Sequence, residues 1–130
     1  MKRLALLIAV TVSMACAVHP LIMTRPASVQ ADGLDCVRAT LQRLGYMITA
    51  GDRSLGFVRA ERMRTREDFP TGRLITDALV VNYISAGTVD DNPDDLIQVR
   101  VAQVGEHGDL APKREAIADA EHLLDRCGKL

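Results

Sequence analysis

Basic residues crowd one stretch of this chain: Arg59, Arg62, Arg64, Arg66 and Arg73. A guanidinium fork grips phosphate or carboxylate through paired charge-assisted hydrogen bonds. On a strand, residues two apart share a face, so Arg62, Arg64 and Arg66 align. Arg59, Arg62, Arg64 and Arg66 are therefore the expected anion- or partner-binding residues. Glu61, Glu67 and Asp68 are interleaved with them, and a salt-bridged surface is the competing reading.

Two further groups have the right residue types but weaker spacing. The run Asp90-Asp91-Asn92-Pro93-Asp94-Asp95 gathers the oxygen ligands that calcium favours. It lacks the spacing, glycine and closing glutamate of an EF-hand, and Asn-Pro between aspartates is ordinary turn chemistry. His107 stands between Gly105 and Gly108, with Glu106 and Asp109 close by, where a general base would be accessible. His122 falls on the polar side of a helix. Ser54 and Ser85 have no Gly-x-Ser-x-Gly surroundings. There is no Gly-rich phosphate loop and no His-Glu-x-x-His motif. No metal and no cofactor is expected.

The three cysteines are best read together with the N-terminus. Lys2 and Arg3 precede an apolar run over residues 4–12, the order of a secretory leader. Val29-Gln30-Ala31 offers small residues where a signal peptidase inspects them, with Pro26 upstream, so the leader is expected to span residues 1–31. Ala15-Cys16-Ala17 also fits the small-x-small rule. Alternatively, Cys16 after Ala15 is a lipidation site, although Ser13 stands where a lipobox has a large aliphatic residue. Residues 4–23 are also about long enough to remain as an anchor, interrupted by His19-Pro20.

Without residues 1–31, Cys36 and Cys127 are left as an even pair near the two ends of the remaining domain. An exported chain favours a disulfide between them. It would close a loop of about 90 residues and stabilise by on the order of 4 kcal/mol. A redox role is disfavoured, because the Cys-x-x-Cys spacing is absent.

Charge follows the same division. Removing Lys2, Arg3 and Arg25 from the 16 basic residues leaves 13 against all 17 acidic ones, a formal charge of −4. Such a domain is poorly suited to general nucleic-acid binding, which rests on neutralising phosphates. Aromatic residues make up 3% with no Trp, so the core must be aliphatic.

These residues are positioned by a single domain over 32–130. Leu34, Val37, Leu41 and Leu44 form a helical stripe ended by Gly45. Four strands are predicted: 46–50, 55–64, 74–84 and 96–104. Val58 and Ala60 point inward, with Arg59 and Glu61 outward. Leu79, Val81 and Tyr83 share a face, and Ile97, Val99 and Val101 oppose Gln98, Arg100 and Gln103. A loop over 105–109 leads to a last helix with the stripe Ala116, Ile117, Ala120, Leu123, Leu124 and Cys127. The expected fold is α+β, ordered αββββα: a four-stranded antiparallel sheet with two helices on one face, closed by the disulfide.

The expected function is a non-enzymatic binding or structural module of the periplasm or cell envelope. Its partner would be an envelope protein or an anionic ligand. Two alternatives stay open: a lipoprotein anchored through Cys16 that acts in envelope assembly, and a small secreted enzyme using His107 with a neighbouring carboxylate. Membrane association follows only if the leader is retained or Cys16 is lipidated.

Overall fold

A computed structural model describes residues 19–27, 30–65, 74–87, 94–105 and 108–128. Strand β1 (Leu21–Pro26) leads into helix α1 (Gln30–Arg43). Strands β2 (Met47–Asp52), β3 (Phe57–Thr65), β4 (Leu74–Ile84), β5 (Leu96–Gly105) and β6 (Gly108–Leu110) follow, and helix α2 (Arg114–Cys127) closes the chain. The protein is α+β, with two helices among the described residues, an antiparallel sheet and a bond joining Cys36 to Cys127.

Among the described residues the sheet has six strands rather than the four expected, and α1 is the second element rather than the first. Its order is β1-β5-β4-β3-β2, with β6 also on β5. β1 and β6 line the same edge of β5, the first along Leu96–Val101 and the second along Gln103–Gly105. Both additions were hidden for physical reasons. The apolar start of β1 is indistinguishable in sequence from the tail of a leader until a partner strand is present. β6 is three residues long and begins with glycine, too short for any period to show. Pro26 fits at the end of β1 because an edge strand can tolerate a missing N–H there.

The helices divide the sheet between them. α1 packs on β2 and β3, α2 on β5, β1 and β4, and the two touch each other. Between them and the sheet lies a single aliphatic cluster, in which Leu41 and Leu123 meet Val58, Leu79 and Val99. Period-two alternation accounts for the strand contributions: Val58 and Ala60 from β3, Leu79 and Val81 from β4, and Ile97, Val99 and Val101 from β5 are all buried. Gln103 continues that same parity. It is fully buried on the helix side instead of facing outward with Gln98 and Arg100, and its amide donates to Asp77 Oδ1 at 3.0 Å.

Glycines shape both helices. At the end of α1 the Tyr46 N–H donates to Leu41 O and the Gly45 N–H to Gln42 O, a Schellman closure. That closure requires the left-handed φ of 86° at Gly45. Near the start of α1, a Cβ on Gly33 would overlap the Tyr83 hydroxyl, so glycine lets the Tyr83 ring lie against this turn.

The disulfide fastens the first turns of α1 to the last turn of α2, with Cα atoms 5.7 Å apart and a sequence separation of 91. The Thr40 hydroxyl packs 3.5 Å from Cys127 Sγ. Among the described residues no helix is long and apolar enough to cross a membrane.

Candidate anion-binding face

The helices cover one face of the sheet; the opposite face is built from the outward residues of the same strands. Cross-strand register places them in rows. Arg59 pairs with Val80, Val80 with Arg100, and Arg100 with Ile22, so one row alternates cation, apolar, cation, apolar across four strands. Two interstrand steps put the Arg59 and Arg100 backbones about 10 Å apart. The next row is Glu61, Ala78 and Ala102. Its two methyl side chains form the floor of a depression, and Ala78 is only 2% exposed although no helix covers it. The resulting groove has a volume of about 430 Å³ and is walled by Phe57, Arg59, Arg100 and Val104. Asp109 stands beside Val104 at its β6 end, so the positive charge along the groove is concentrated at the arginine row.

The two arginines of the row differ in their surroundings. Glu61 Oε1 accepts from Arg59 Nε at 2.9 Å and lies 2.8 Å from Arg59 Nη2, which orients the fork along the strand. Both partners are partly solvated, so the pair is weak and can yield to a competing anion. Arg100 is exposed and has no ion-pair partner among the described residues.

Arg62 lies on the other face. As the parity of Val58 and Ala60 dictates, it points to the helix side. There its Nη2 lies 2.7 Å from Asp119 Oδ2 of α2 and 3.7 Å from Asp77 Oδ2 of β4. Its Nη1 donates to Leu44 O at 2.8 Å, and its Cζ sits 4.3 Å from the Tyr46 ring centroid. The Tyr46 hydroxyl donates to the same Asp119 oxygen at 2.9 Å. Burial, then the Asp119 hydrogen bond and charge, push the Tyr46 phenol far above its usual value, with Arg62 opposing. This network ties α2 to β3, β4 and the end of α1.

The arginine-rich stretch is therefore not one surface. Arg59 and Arg62 are on opposite faces of β3. Arg64 is in register with Ile75 near the strand end, while Arg66 and Arg73 lie outside the described residues. Arg100 joins Arg59 instead. Its outward position is legible from the β5 alternation, but its place beside Arg59 depends on a strand register that the sequence does not encode locally.

The remaining candidates are scattered. Cys16, His107 and residues 90–93 lie outside the described residues; Gly105 and Gly108, which flank the His107 segment, pair across β5 and β6. His122 is exposed. Asp95 serves the β4–β5 connection, its Oδ1 accepting from the Ala86 N–H at 2.9 Å. In the β2–β3 turn, hydrogen bonds from the Ser54 hydroxyl and the Ser54 and Leu55 N–H groups hold the Asp52 carboxyl below its ordinary value. Burial raises the Tyr83 phenol to about 12. Among the described residues no three His, Cys, Asp or Glu side chains are grouped to hold a metal ion. No family model matches this sequence, and no curated protein resembles it closely enough to count as a relative.

Proposed function

We propose that this protein is an exported, non-enzymatic binding module of the cell envelope that takes a carboxylate- or phosphate-bearing partner on the open face of its sheet. The observation that carries this reading is the row Arg59–Val80–Arg100 above a floor of alanines. Two guanidinium forks flank a small apolar patch, which suits a ligand presenting anionic groups on an apolar frame. Export is supported by the basic-then-apolar N-terminus and by a disulfide that an oxidising compartment would preserve.

The test is a titration of the ¹⁵N-labelled protein with inorganic phosphate and, separately, with a hexaglutamate peptide. Saturable shifts are expected at the Arg59 and Arg100 Nε–H signals and at the Val80 amide. The shift at the Val80 amide should vanish in an Arg59→Glu, Arg100→Glu variant with an unchanged fold. Saturable shifts elsewhere, or none on this row with either probe, would sink the reading.

A further inference from the structure

We propose that the exported chain is cut upstream of Leu21, within Ala15-Cys16-Ala17, so that strand β1 stays in the mature domain. This rests on the export reading and moves the end of the leader away from Ala31. A cut after Ala31 would remove every residue of β1 together with Gln30 and Ala31, the first two residues of α1.

What that cut would strip away is built into the fold. All six residues of β1 are in register with Leu96–Val101 of β5. Met23 packs against the core, opposite Val99. Arg25 points to the helix side and forms an ion pair with Asp125 of α2. Just beyond the strand, the Ala27 N–H donates to Asp95 O at 2.8 Å, and Ala27 bridges to Gly128 beside the disulfide. The segment is thus joined to β5, to the β4–β5 connection and to the end of α2. Without it, β5 would present a bare edge along Leu96–Val101 next to β6. An unpaired edge over apolar residues invites association with other chains.

The small-x-small stretch Ala15-Cys16-Ala17 satisfies the same recognition rule and leaves β1 intact. Hydrolysis after Ala17 consumes one water, leaves the leader with a new carboxylate and gives the domain an ammonium on Val18. Val18-His19-Pro20 then leads directly into β1.

The experiment is to express the full chain with a C-terminal tag in a bacterial host with an outer membrane, fractionate the cells, and measure intact mass and N-terminal sequence. An envelope-fraction chain beginning at Val18, or at an acylated Cys16, supports the proposal, and the added lipid mass tells the two apart. An envelope-fraction chain beginning at Asp32 overturns it while leaving export standing. A chain that keeps its leader in the cytoplasm overturns both. A charge swap gives an independent readout on the same purified protein. If β1 is present, Arg25→Glu lowers Tm by about 2–4 °C, and adding Asp125→Arg restores it. Met23→Asp, which places a charge where β1 packs against the core, should lower Tm further, and an unchanged Tm in that variant would mean that β1 is not part of the mature fold.

Discussion

Arg62 and Arg100 are the same residue type on strands separated by one neighbour in a single sheet, yet they face opposite environments. Arg62, with its side chain 25% exposed, faces two carboxylates, a helix-end carbonyl and an aromatic ring. Arg100 faces water across a groove floored by alanine. A partly desolvated guanidinium must be matched by its surroundings, because its hydration is lost. A solvated one needs no partner and remains available for a ligand. The helix-covered face therefore uses its polar groups to hold α2 and the strands together, and the open face leaves its own available for the proposed ligand. The comparison yields substitutions whose effects should fall steadily from the first face to the second.

The largest effect belongs to the bond that locks the helices over the covered face. Replacing Cys36 and Cys127 with Ser frees a loop of 91 residues in the unfolded chain. The expected loss is on the order of 4 kcal/mol, read as a lower urea midpoint. Wild-type protein unfolded with and without reductant should show a similar gap, while the Ser variant should be indifferent to reductant. Equal midpoints for reduced and oxidised wild type would show that the helices are held by packing alone.

Next comes Arg62→Ala. It deletes the cation facing the fully buried Asp77 and releases Asp119 and the Leu44 carbonyl. Breaking a buried ion network costs about 3–5 kcal/mol; the partial exposure of Arg62 and the 3.7 Å separation from Asp77 lower this to about 2–3 kcal/mol. A urea midpoint within error of wild type would place Arg62 among the surface arginines and dissolve the contrast between the faces.

That contrast was only partly visible in the sequence, for identifiable reasons. The stripe Leu34, Val37, Leu41 and the alternation Ile97, Val99, Val101 declare their buried faces because period alone sets them. The pairing of Cys36 with Cys127 followed from counting. Arg62, by contrast, carries the same local signal as Arg64 or Arg66. Its partners Tyr46, Asp77 and Asp119 come from other elements, up to 57 residues away. Gln103 announced its burial by parity with Val99 and Val101, a signal outweighed by its polar side chain. The Arg59–Arg100 row depends on the registers of β3 with β4 and β4 with β5, and nothing short-range encodes those. β1 is the extreme case, since its partner strand begins 70 residues later.

A smaller effect, confined to alkaline pH, tests the covered face at its Tyr83 margin. The Tyr83 hydroxyl is buried against Gly33 with no hydrogen-bond partner among the described residues. Burial raises its pKa from 10.0 to about 12, so the fold favours the neutral phenol. The stability linked to this is fully present below pH 10 and is lost as pH rises from 10 to 12. Near neutral pH, Tyr83→Phe should leave stability within about 1 kcal/mol of wild type, because no hydrogen bond is lost. Above pH 10 the variant should decline less steeply. Parallel pH profiles through pH 12 would mean the hydroxyl is hydrated.

The smallest stability change is expected on the open face. Arg100→Ala removes an exposed side chain with no ion pair among the described residues and should stay within about 0.5 kcal/mol of wild type. The same substitution at Arg62 is expected to cost several times more. Affinity should run the other way: Arg100→Ala should weaken hexaglutamate binding at least tenfold, whereas Arg62→Ala, measured where it remains folded, should leave it near wild type. Position relative to the alanine floor sets this order. Arg100 reaches the groove, while Arg62 is separated from it by the sheet itself. Loss of affinity in the Arg62 variant and not in the Arg100 variant would move the recognition surface to the helix side, with Tyr46 and Asp119 as its nearest polar groups.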